Sequence, residues 1–334
     1  MRHLVTISTI EEVLPIESAT AIEKVRVRGW WVVVKKGEFQ KGNKCLYYEI
    51  DSFLPTLPEY DFLLRGSSPK KMLVDGQEKT GIRLKTIKLR GQISQGLVLP
   101  VPTTSLLADK EIGYDCTEDL GIEKYEPPIP PELLGKVKGN FPSFIPKTDE
   151  ERIQNMAEVL NGFYVTEKID GTSVTFFKKD GVFRVCSRNL ELEDNNGTQW
   201  KLARTLSLPD RLPNGLALQG EIVGEGIQKN PYKIKGQRVY FFSAYSIFGG
   251  IYLDFQNFIN LCRALGVETV PVINEYFALP DTMEQLLHFA ENMSAINPNV
   301  QREGVVIRSK TEMQYKGQRV SFKVISNVYL LNEI

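Results

Sequence analysis

The sequence predicts an α+β fold, in which a small N-terminal β-barrel precedes a second domain of antiparallel sheets with flanking helices. Short strand-like runs separated by turn residues fill residues 10–124, as in small barrels. A proline-rich connector, Tyr125–Pro131, follows them, and such runs are stiff and extended. At 334 residues the chain is long for one hydrophobic core. We therefore expect a barrel over residues 1–125, a linker over 126–140 and a second domain over 141–334.

The composition argues against several classes of protein. Its 42% hydrophobic and 25% charged residues are typical of a folded globular chain. No apolar run approaches membrane-spanning length, and the first residues contain no signal-peptide core. Four cysteines lie far apart without a C-x-x-C pair, which favours reduced, mostly buried thiols over structural zinc. With only two histidines, we expect a cytoplasmic or otherwise intracellular protein whose chemistry uses Lys, Arg and carboxylates.

The predicted barrel carries a local cluster of positive charge. Four basic residues fall within eight positions of a run that alternates apolar and basic side chains: Arg83, Lys85, Lys88 and Arg90. Because the formal net charge of the chain is zero, any contact with nucleic acid must come from such local patches. A solvated strand face explains the cluster equally well as a basic face that holds a phosphate backbone. The sequence leaves both interpretations open.

Capping residues predict the helices of the second domain. Thr148 and Glu151 have the spacing of a capping box, so a helix is expected to begin there. Asp254 and Gly266 mark the two ends of another helix. Residues 200–206 look helical, and a further helix is expected to begin at Asp281. Strand-like runs separate these segments.

Lys168 is the first candidate for chemistry. It follows the β-rich run Gly162–Thr166 and precedes Asp170 and Gly171. A lysine at the end of a strand, held against a tight Asp-Gly turn, is positioned as a rigid nucleophile. The alternative is a surface lysine before a hairpin turn, and the short K-x-D-G pattern alone favours that alternative.

Five segments of the second domain share a charged residue at the edge of an apolar strand. In chain order they are Lys168–Gly171, Ser187–Asn189, Gly220–Val223, Glu303–Ile307 and Val320–Lys323. Charges that interrupt buried strands are costly unless they meet one another, a metal or a ligand. Lysines, an arginine and two glutamates in one cleft suit a nucleoside triphosphate with a divalent metal, because carboxylates bind Mg²⁺ and cations bind phosphates.

These ordered segments resemble the motifs of the covalent nucleotidyltransferase superfamily, which comprises ATP-dependent DNA and RNA ligases and mRNA capping enzymes. Gly220–Tyr232 and Lys147–Gln154 are most similar to the RNA ligases. Asp51–Pro55 and Leu89–Leu97 resemble the nick-sealing RNA ligase 5 group, which carries an OB-like domain before the catalytic domain. The resemblance therefore implies an OB-like, nucleic-acid-binding barrel followed by an adenylyltransferase domain.

The resemblance also implies an ATP-dependent RNA ligase that acts in three steps. Lys168, its pKa lowered by burial and neighbouring positive charge, would take AMP from ATP. The AMP would pass to a 5′-phosphate end, and a 3′-OH would then displace it. Glu303 and Glu221 would bind Mg²⁺ or Mn²⁺, with the ribose hydroxyls as an alternative ligand of Glu221. The other residues implied at the nucleotide are Glu167, Ile169, Asp170, Arg188, Lys323 and Tyr245, which would stack on adenine with Phe242 as its rival.

The implied partner is RNA or a nicked RNA/DNA duplex. We assign the barrel cluster, Arg83, Lys85, Lys88 and Arg90, and Arg152 in the RNA-ligase-like segment to nucleic-acid contact. No membrane or protein partner is inferred, and we expect a monomer. Two alternatives share parts of the pattern: a capping-type guanylyltransferase, and a non-catalytic RNA-binding protein with a degenerate nucleotidyltransferase domain.

The last motif departs from the family pattern. Related enzymes commonly have two lysines there as K-x-K, whereas this chain has Ser321 in the first place. Lys316 or Arg319 could compensate, or Lys323 could act alone. The departure concerns how the ATP phosphates are held.

Overall fold

The computed structural model of the chain divides into two units, residues 1–129 with 331–334, and residues 130–330. The structure describes residues 3–17, 19–65, 68–74, 77–102, 106–126, 136–148, 151–152, 162–194, 196–315 and 318–333. No helix in these ranges is long and apolar enough to cross a membrane. The four cysteines are buried and form no disulfide, as the sequence predicts.

The first unit is built from short antiparallel strands. They are β1 (Val5–Thr9), β2 (Glu12–Pro15), β3 (Ile22–Val27), β4 (Trp30–Lys35), β5 (Lys44–Tyr48), β6 (Ser52–Pro55), β7 (Lys70–Val74), β8 (Gln77–Arg83), β9 (Ile87–Leu89), β10 (Gln92–Ser94), β11 (Leu97–Pro100) and β12 (Glu123–Lys124), with a 3₁₀ helix over Pro58–Leu64. The sheet orders are β1-β5-β11, β2-β3-β4 and β12-β6-β8-β7, and β9 pairs with β10.

Alternating burial along β3 and β4 forms part of the core of this unit. Val25 and Val27 of β3 and Val32 and Val34 of β4 face inward, and they pack against Tyr47 of β5. Successive side chains of a strand point to opposite faces, and the outer face of this sheet carries Lys24 and Arg26 beside the ring of Trp31.

The second unit contains two larger sheets with a few helices. Its strands are β13 (Val137–Asn140), β14 (Glu151–Arg152), β15 (Phe163–Lys168), β16 (Thr172–Lys179), β17 (Val182–Cys186), β18 (Leu190–Leu192), β19 (Leu216–Gly224), β20 (Gln237–Ser246), β21 (Ile251–Tyr252), β22 (Val272–Phe277), β23 (Gly304–Ser309), β24 (Gln314–Tyr315), β25 (Gln318–Arg319) and β26 (Ser321–Ile325). The seven-stranded sheet has the order β13-β18-β17-β16-β19-β20-β21, and the five-stranded sheet has the order β14-β26-β23-β15-β22. β24 pairs with β25.

The helices are α1 (Thr198–Thr205), α2 (Leu208–Arg211), α3 (Phe255–Leu265), α4 (Met283–Ala290) and α5 (Asn327–Glu333). The ends of α3 are those predicted, because the Asp254 carboxylate accepts a hydrogen bond from the Asn257 amide and Gly266 adopts a left-handed conformation. The cap of α4 is Thr282, one residue after the predicted Asp281.

The helix predicted from the Thr148 capping box is wrong at its start. Glu151 and Arg152 form β14, which pairs in parallel with β26. The Thr148 hydroxyl lies 2.8 Å from the Ser173 hydroxyl instead of capping a helix. Residues 153–161 lie outside the described ranges. Nearby, β13 occupies the last four positions of the predicted linker and pairs with β18, while residues 127–135 are also outside those ranges.

Candidate active site

Lys168 lies where the chain crosses between the two large sheets. It ends β15 of the five-stranded sheet, and β16 of the seven-stranded sheet begins at Thr172. The alternative interpretation, a lysine before a hairpin turn, is therefore wrong, because β15 and β16 belong to different sheets. A Cβ at Gly171 would lie 2.4 Å from the Ile222 carbonyl oxygen, so only glycine lets the chain pass this close to β19.

Lys168 and Glu303 form an ion pair at this crossing. The Lys168 Nζ lies 2.7 Å from the Glu303 Oε1, and the two side chains are 24% and 15% exposed. Strand register brings them together, because Lys168 pairs with Gly304 on β23. A Cβ at Gly304 would lie 2.1 Å from the Val324 carbonyl oxygen, so glycine permits the close packing of β23 on β26.

The ligand-free site keeps the Lys168 amine protonated. Burial acts to lower its pKa, but the carboxylates of Glu303, Glu221 and Asp170 outweigh burial, and the pKa is raised. A protonated amine is not a nucleophile. The lowered pKa expected from the sequence is therefore not a property of the site without its ligands.

Glu221 is the second carboxylate beside Lys168. It lies on β19 opposite Ser173 of β16. Burial and then the repulsion of Glu303 raise its pKa to about 8, against the opposing effects of Lys168 and Arg188. Burial also raises the pKa of Glu303, although Lys168 and Lys323 act to lower it. The raised pKa values mean that the ligand-free site disfavours ionisation of both carboxylates, and a further cation would favour it.

Lys168 and Glu221 border a cavity of about 310 Å³, near the lower end of the range for small-molecule sites. Glu303 is not among the lining residues and meets the site through its ion pair with Lys168. The predicted residues that line it are Glu167, Lys168, Ile169, Arg188, Glu221, Phe242 and Lys323. The cavity is also lined by three residues with hydroxyl groups, Thr148, Thr172 and Ser173, and by Arg308. The sequence-predicted cleft thus forms within the second unit, with cations, carboxylates and one aromatic ring around it.

Two family models match the chain, an OB-fold domain over residues 4–101 and RNA ligase over residues 161–325. Among solved structures, a mutant of Naegleria gruberi RNA ligase with AMP and Mn is 41% identical, with 99% of each chain covered and a TM-score of 0.81. The chain belongs to the RNA ligase family. A mutant of the same relative with ATP and Mn is 41% identical, with 98% of each chain covered and a TM-score of 0.81.

The same relative with PPi is 41% identical to this RNA ligase, with 99% of each chain covered and a TM-score of 0.81. A comparison with curated proteins gives no match. The OB-fold match and the sheet-rich second unit confirm the predicted fold class.

Tyr245 and its rival Phe242 are the two residues that the resemblance suggests for contact with adenine. Phe242 of the RNA ligase lines the cavity, whereas Tyr245 packs in a core cluster that includes Phe177 and Ala217. The pairing of β20 with β19 is irregular between Phe241 and Ser243, so simple alternation does not relate the two positions, and Tyr245 lies farther along the strand, opposite Ala217. Their different surroundings therefore follow from the register of β20 and not from a period in the sequence.

Glu167 borders the cavity, but its carboxylate binds elsewhere. The residue is 1% exposed, and its Oε2 accepts a hydrogen bond of 2.7 Å from the Ala295 amide. Burial raises its pKa, although the hydrogen bonds from Ser294 and Ala295 and the charge of Arg302 act to lower it. The side chain therefore anchors the loop after α4, next to the strand end that holds Lys168.

Asp170 fixes the crossing segment. Its Oδ2 accepts a hydrogen bond of 2.7 Å from the Tyr329 hydroxyl, and its backbone amide donates one of 2.8 Å to the Tyr232 hydroxyl. These contacts hold the chain on both sides of Ile169, whose side chain is buried with Tyr232 and Val223. These contacts indicate that Asp170 positions the segment that carries the lysine.

Arg308 is a charged residue of the cavity lining that the sequence prediction missed. All six residues of β23 are buried, and Arg308 is 2% exposed. The signal was present, since a charge within an apolar strand is the feature that selected the other five segments. Arg308 was overlooked because it lies inside the strand and not at its edge.

Ser321 is buried. Of the two residues suggested to compensate for the missing lysine, Arg319 is engaged by other side chains. Arg319 forms a 3.0 Å ion pair with Glu312, and its guanidinium lies 3.7 Å from the centre of the Tyr252 ring. Its side chain is thus bound away from the residues that line the cavity. Lys316 lies outside the described residues. Lys323 does line the cavity, as predicted.

The basic cluster of the OB-fold domain separates into two parts. Arg83 forms a 2.6 Å ion pair with Asp51, and its guanidinium lies 4.9 Å from the centre of the Tyr125 ring. Lys85, Lys88 and Arg90 are exposed on and beside β9. The side chain of Arg152 lies outside the described residues, although its backbone pairs with Lys323. We therefore retain Lys85, Lys88 and Arg90 as candidates for RNA contact.

Glu221 and Glu303 suit a divalent metal that binds together with the nucleotide. Carboxylate oxygens are preferred ligands of Mg²⁺ and Mn²⁺. Among the described residues, no group of three or more His, Cys, Asp or Glu side chains could hold a metal ion. Mg²⁺ is commonly bound by one or two carboxylates plus substrate phosphates and water, which is the arrangement these residues allow.

Proposed function

We infer that this RNA ligase uses ATP to join a 3′-OH end to a 5′-phosphate end. Lys168 carries the inference, because it lies on a cavity of nucleotide size beside two carboxylates with raised pKa values. The structures of the Naegleria gruberi RNA ligase with ATP, AMP, Mn and PPi support this choice of nucleotide, metal and product.

In the first step, the Lys168 Nζ attacks the α-phosphorus of ATP. A P–N bond forms as the bond to pyrophosphate breaks, and the amine must lose a proton before it attacks. Lys168 pairs with Gly304 of β23, and Lys323 pairs with Val306, two residues farther along the same strand. The positive charge of Lys323 favours the neutral Lys168 amine. A bound Mg²⁺ or Mn²⁺, held by Glu303 and Glu221, would neutralise charge on the phosphates.

In the second step, the 5′-phosphate of a strand attacks the lysyl-AMP and frees Lys168. In the third step, the 3′-OH attacks the activated 5′-phosphate, and AMP leaves. Arg188, which is exposed where it borders the cavity, is placed to contact a phosphate or the 3′-OH end. We propose a nicked duplex as substrate and a monomer as the active form.

Covalent labelling tests the nucleotide. The protein is incubated separately with ATP and with GTP, each labelled at the α-phosphate, and denatured before the bound label is counted. We expect label from ATP, because Lys168 is predicted to form a stable P–N bond. Label from GTP alone would identify a capping-type guanylyltransferase, and no label from either nucleotide would favour the non-catalytic RNA-binding protein.

The RNA surface of the OB-fold domain can be tested separately. We expect Lys85→Glu/Lys88→Glu/Arg90→Glu to keep lysyl-AMP formation and to lower sealing, because the exposed basic residues lie outside the adenylylation cavity. The logarithm of RNA affinity should become less dependent on salt, by about 0.9 in slope for each duplex phosphate that the variant no longer neutralises. Electrophoretic mobility shifts at several salt concentrations measure this slope.

A matched control places the same charge change elsewhere on the domain. Lys35, Lys36 and Lys41 are exposed lysines outside the cluster, and their triple replacement by Glu should leave sealing less affected. Equal loss of sealing in both triple variants would attribute the effect to net charge. Loss of lysyl-AMP formation in the cluster variant would show that the cluster has another role.

A further inference from the structure

The first turn of α5 is attached to the strand end that carries Glu303. Ser326 follows β26 directly and is fully buried. Its hydroxyl accepts a hydrogen bond of 3.1 Å from the Tyr329 amide, as expected of a serine that caps a helix. The Ser326 amide donates one of 2.9 Å to the Glu303 carbonyl oxygen. The start of α5 is therefore fixed beside the residue that forms the ion pair with Lys168.

Tyr329 attaches the same helical turn to the crossing between the two large sheets. Its hydroxyl donates a hydrogen bond of 2.7 Å to the Asp170 Oδ2, across 159 positions of the sequence. A contact over this separation restrains the tertiary structure, because no local pairing of the chain brings the two residues together. One turn of α5 thus holds both of the segments whose carboxylates, Asp170 and Glu303, act on the Lys168 amine.

The attack on ATP makes strict demands on the Lys168 amine. The reacting atoms must lie about 3–3.5 Å apart, and a misplacement of about 1 Å can cost about 10²-fold in rate. A lysine side chain is a flexible four-carbon stem. Its orientation therefore depends on a rigid backbone at the crossing and on which carboxylate binds the ammonium. In the ligand-free site the ammonium binds Glu303, while the charge of Asp170 also acts to raise its pKa.

We propose that Tyr329 is a positioning residue for adenylylation, and that its hydroxyl holds the Asp170 carboxylate so that Lys168 faces the α-phosphorus. Tyr329 is not among the residues that line the cavity, so it acts through Asp170 and not on the nucleotide. Without the hydroxyl, the Asp170 carboxylate would lose a donor and compete with Glu303 for the Lys168 ammonium. This inference rests on the proposed function, because it takes Lys168 as the nucleophile.

The effect of Tyr329 is expected in one chemical step. Lys168 forms its bond to phosphorus only during adenylylation, and its amine is the leaving group in the second step. In the third step the 3′-OH attacks an end that already carries AMP, so no bond to Lys168 forms or breaks. Loss of the Tyr329 hydroxyl should therefore slow adenylylation and leave the sealing of a pre-adenylylated nick unchanged. A general loss of structure would slow both steps.

Single-turnover kinetics of Tyr329→Phe, which removes only the hydroxyl, measure the two steps separately. The protein is first treated with pyrophosphate to remove AMP from Lys168. Adenylylation is followed with ATP labelled at the α-phosphate, and sealing is followed without ATP on a nicked RNA duplex whose 5′-phosphate already carries AMP. Tyr276→Phe is the matched control, because Tyr276 is 81% exposed on β22 and its ring contacts Lys310.

For Tyr329→Phe we expect a rate constant of adenylylation about tenfold below that of the wild type at saturating ATP, with the full amplitude of labelled protein. Sealing of the pre-adenylylated nick should proceed at the wild-type rate, and Tyr276→Phe should match the wild type in both steps. An unchanged rate constant of adenylylation would overturn the proposal. Equal slowing of both steps, or a loss of amplitude alone, would also overturn it, since either indicates that the hydroxyl supports folding.

Two further variants test the route through Asp170. Asp170→Ala removes the acceptor, so adding Tyr329→Phe to it should slow adenylylation no further. Asp170→Asn retains an oxygen that can accept the hydrogen bond, so it should slow adenylylation less than Asp170→Ala does. Equal slowing by the two single variants of Asp170 would contradict the proposal, even if Tyr329→Phe does not fold. A further loss of rate in the double variant would also contradict it.

Labelling of the wild type separates this proposal from the function on which it rests. If the wild type takes no label from ATP, the proposed function fails. If the wild type takes the label and Tyr329→Phe is adenylylated at the same rate, only the role of Tyr329 fails.

Discussion

Replacing Lys168 with alanine is expected to abolish covalent labelling by ATP and ATP-dependent sealing. The other lysine that lines the cavity is Lys323, which belongs to a different strand and lies level with Val306, two residues along β23 from the partner of Lys168. An amine there cannot take over an attack that requires alignment with the α-phosphorus. The measurement is a gel assay of covalent label together with a sealing assay on a nicked RNA duplex.

Lys178→Ala provides the matched control. Lys178 lies on β16, and its Nζ donates a hydrogen bond of 3.0 Å to the Pro209 carbonyl oxygen. This variant should retain labelling, because Lys178 is not among the residues that line the cavity. If Lys168→Ala retains its label, another lysine is the nucleophile. RNA binding by Lys168→Ala should persist, which separates the loss of chemistry from loss of fold.

Replacing Glu221 with glutamine is expected to lower adenylylation by about 10²-fold or more while stabilising the ligand-free protein. The loss of activity follows from removing a carboxylate that we assign to metal binding and charge stabilisation. The gain in stability follows from removing a carboxylate whose burial raises its pKa from 4.5 to about 8. Thermal melts in chelator and an adenylylation assay measure the two effects.

The pH dependence has a defined sign. Between about pH 4.5 and pH 8, Glu221 is protonated in the folded state and ionised in the unfolded state. The folded state then binds more protons, so the free energy of unfolding falls as pH rises through this window. Glu221→Gln should remove this contribution, so its melting temperature should exceed that of the wild type most at pH 8. Each kcal/mol would correspond to about 2–4 °C.

Glu225→Gln makes the same chemical change on an exposed residue just after β19. It should alter neither the melting temperature nor adenylylation appreciably. A Glu221→Gln protein that melts lower than the wild type at pH 8 would show that the carboxylate stabilises the ligand-free site. Unchanged adenylylation would remove Glu221 from the proposed chemistry.

The sequence predicted the elements of the site better than the way in which they meet. Lys168, Glu221 and Lys323 could be selected because each charge interrupts an apolar strand. The crossing at Gly171 could not, because an Asp-Gly pair after a strand usually indicates a hairpin. Which sheet each strand joins depends on long-range pairing that no local pattern records.

The errors within the site have particular causes. Tyr245 was chosen over Phe242 by its place in a motif, and the irregular register of β20 between the two positions cannot be predicted from the sequence. Arg308 was missed because only strand edges were searched for charges. Glu167 lies next to Lys168 in sequence, but its side chain is on the other face of β15 and binds the Ala295 amide.

Peptide mapping of the protein after reaction with ATP tests the central claim most directly. The protein is incubated with ATP and Mg²⁺ or Mn²⁺, denatured at neutral pH, digested and examined by tandem mass spectrometry. Our account predicts AMP attached to Lys168, and release of that AMP when a nicked RNA is added before denaturation. AMP attached to a different lysine, or on Lys168 but not released by RNA, would contradict it.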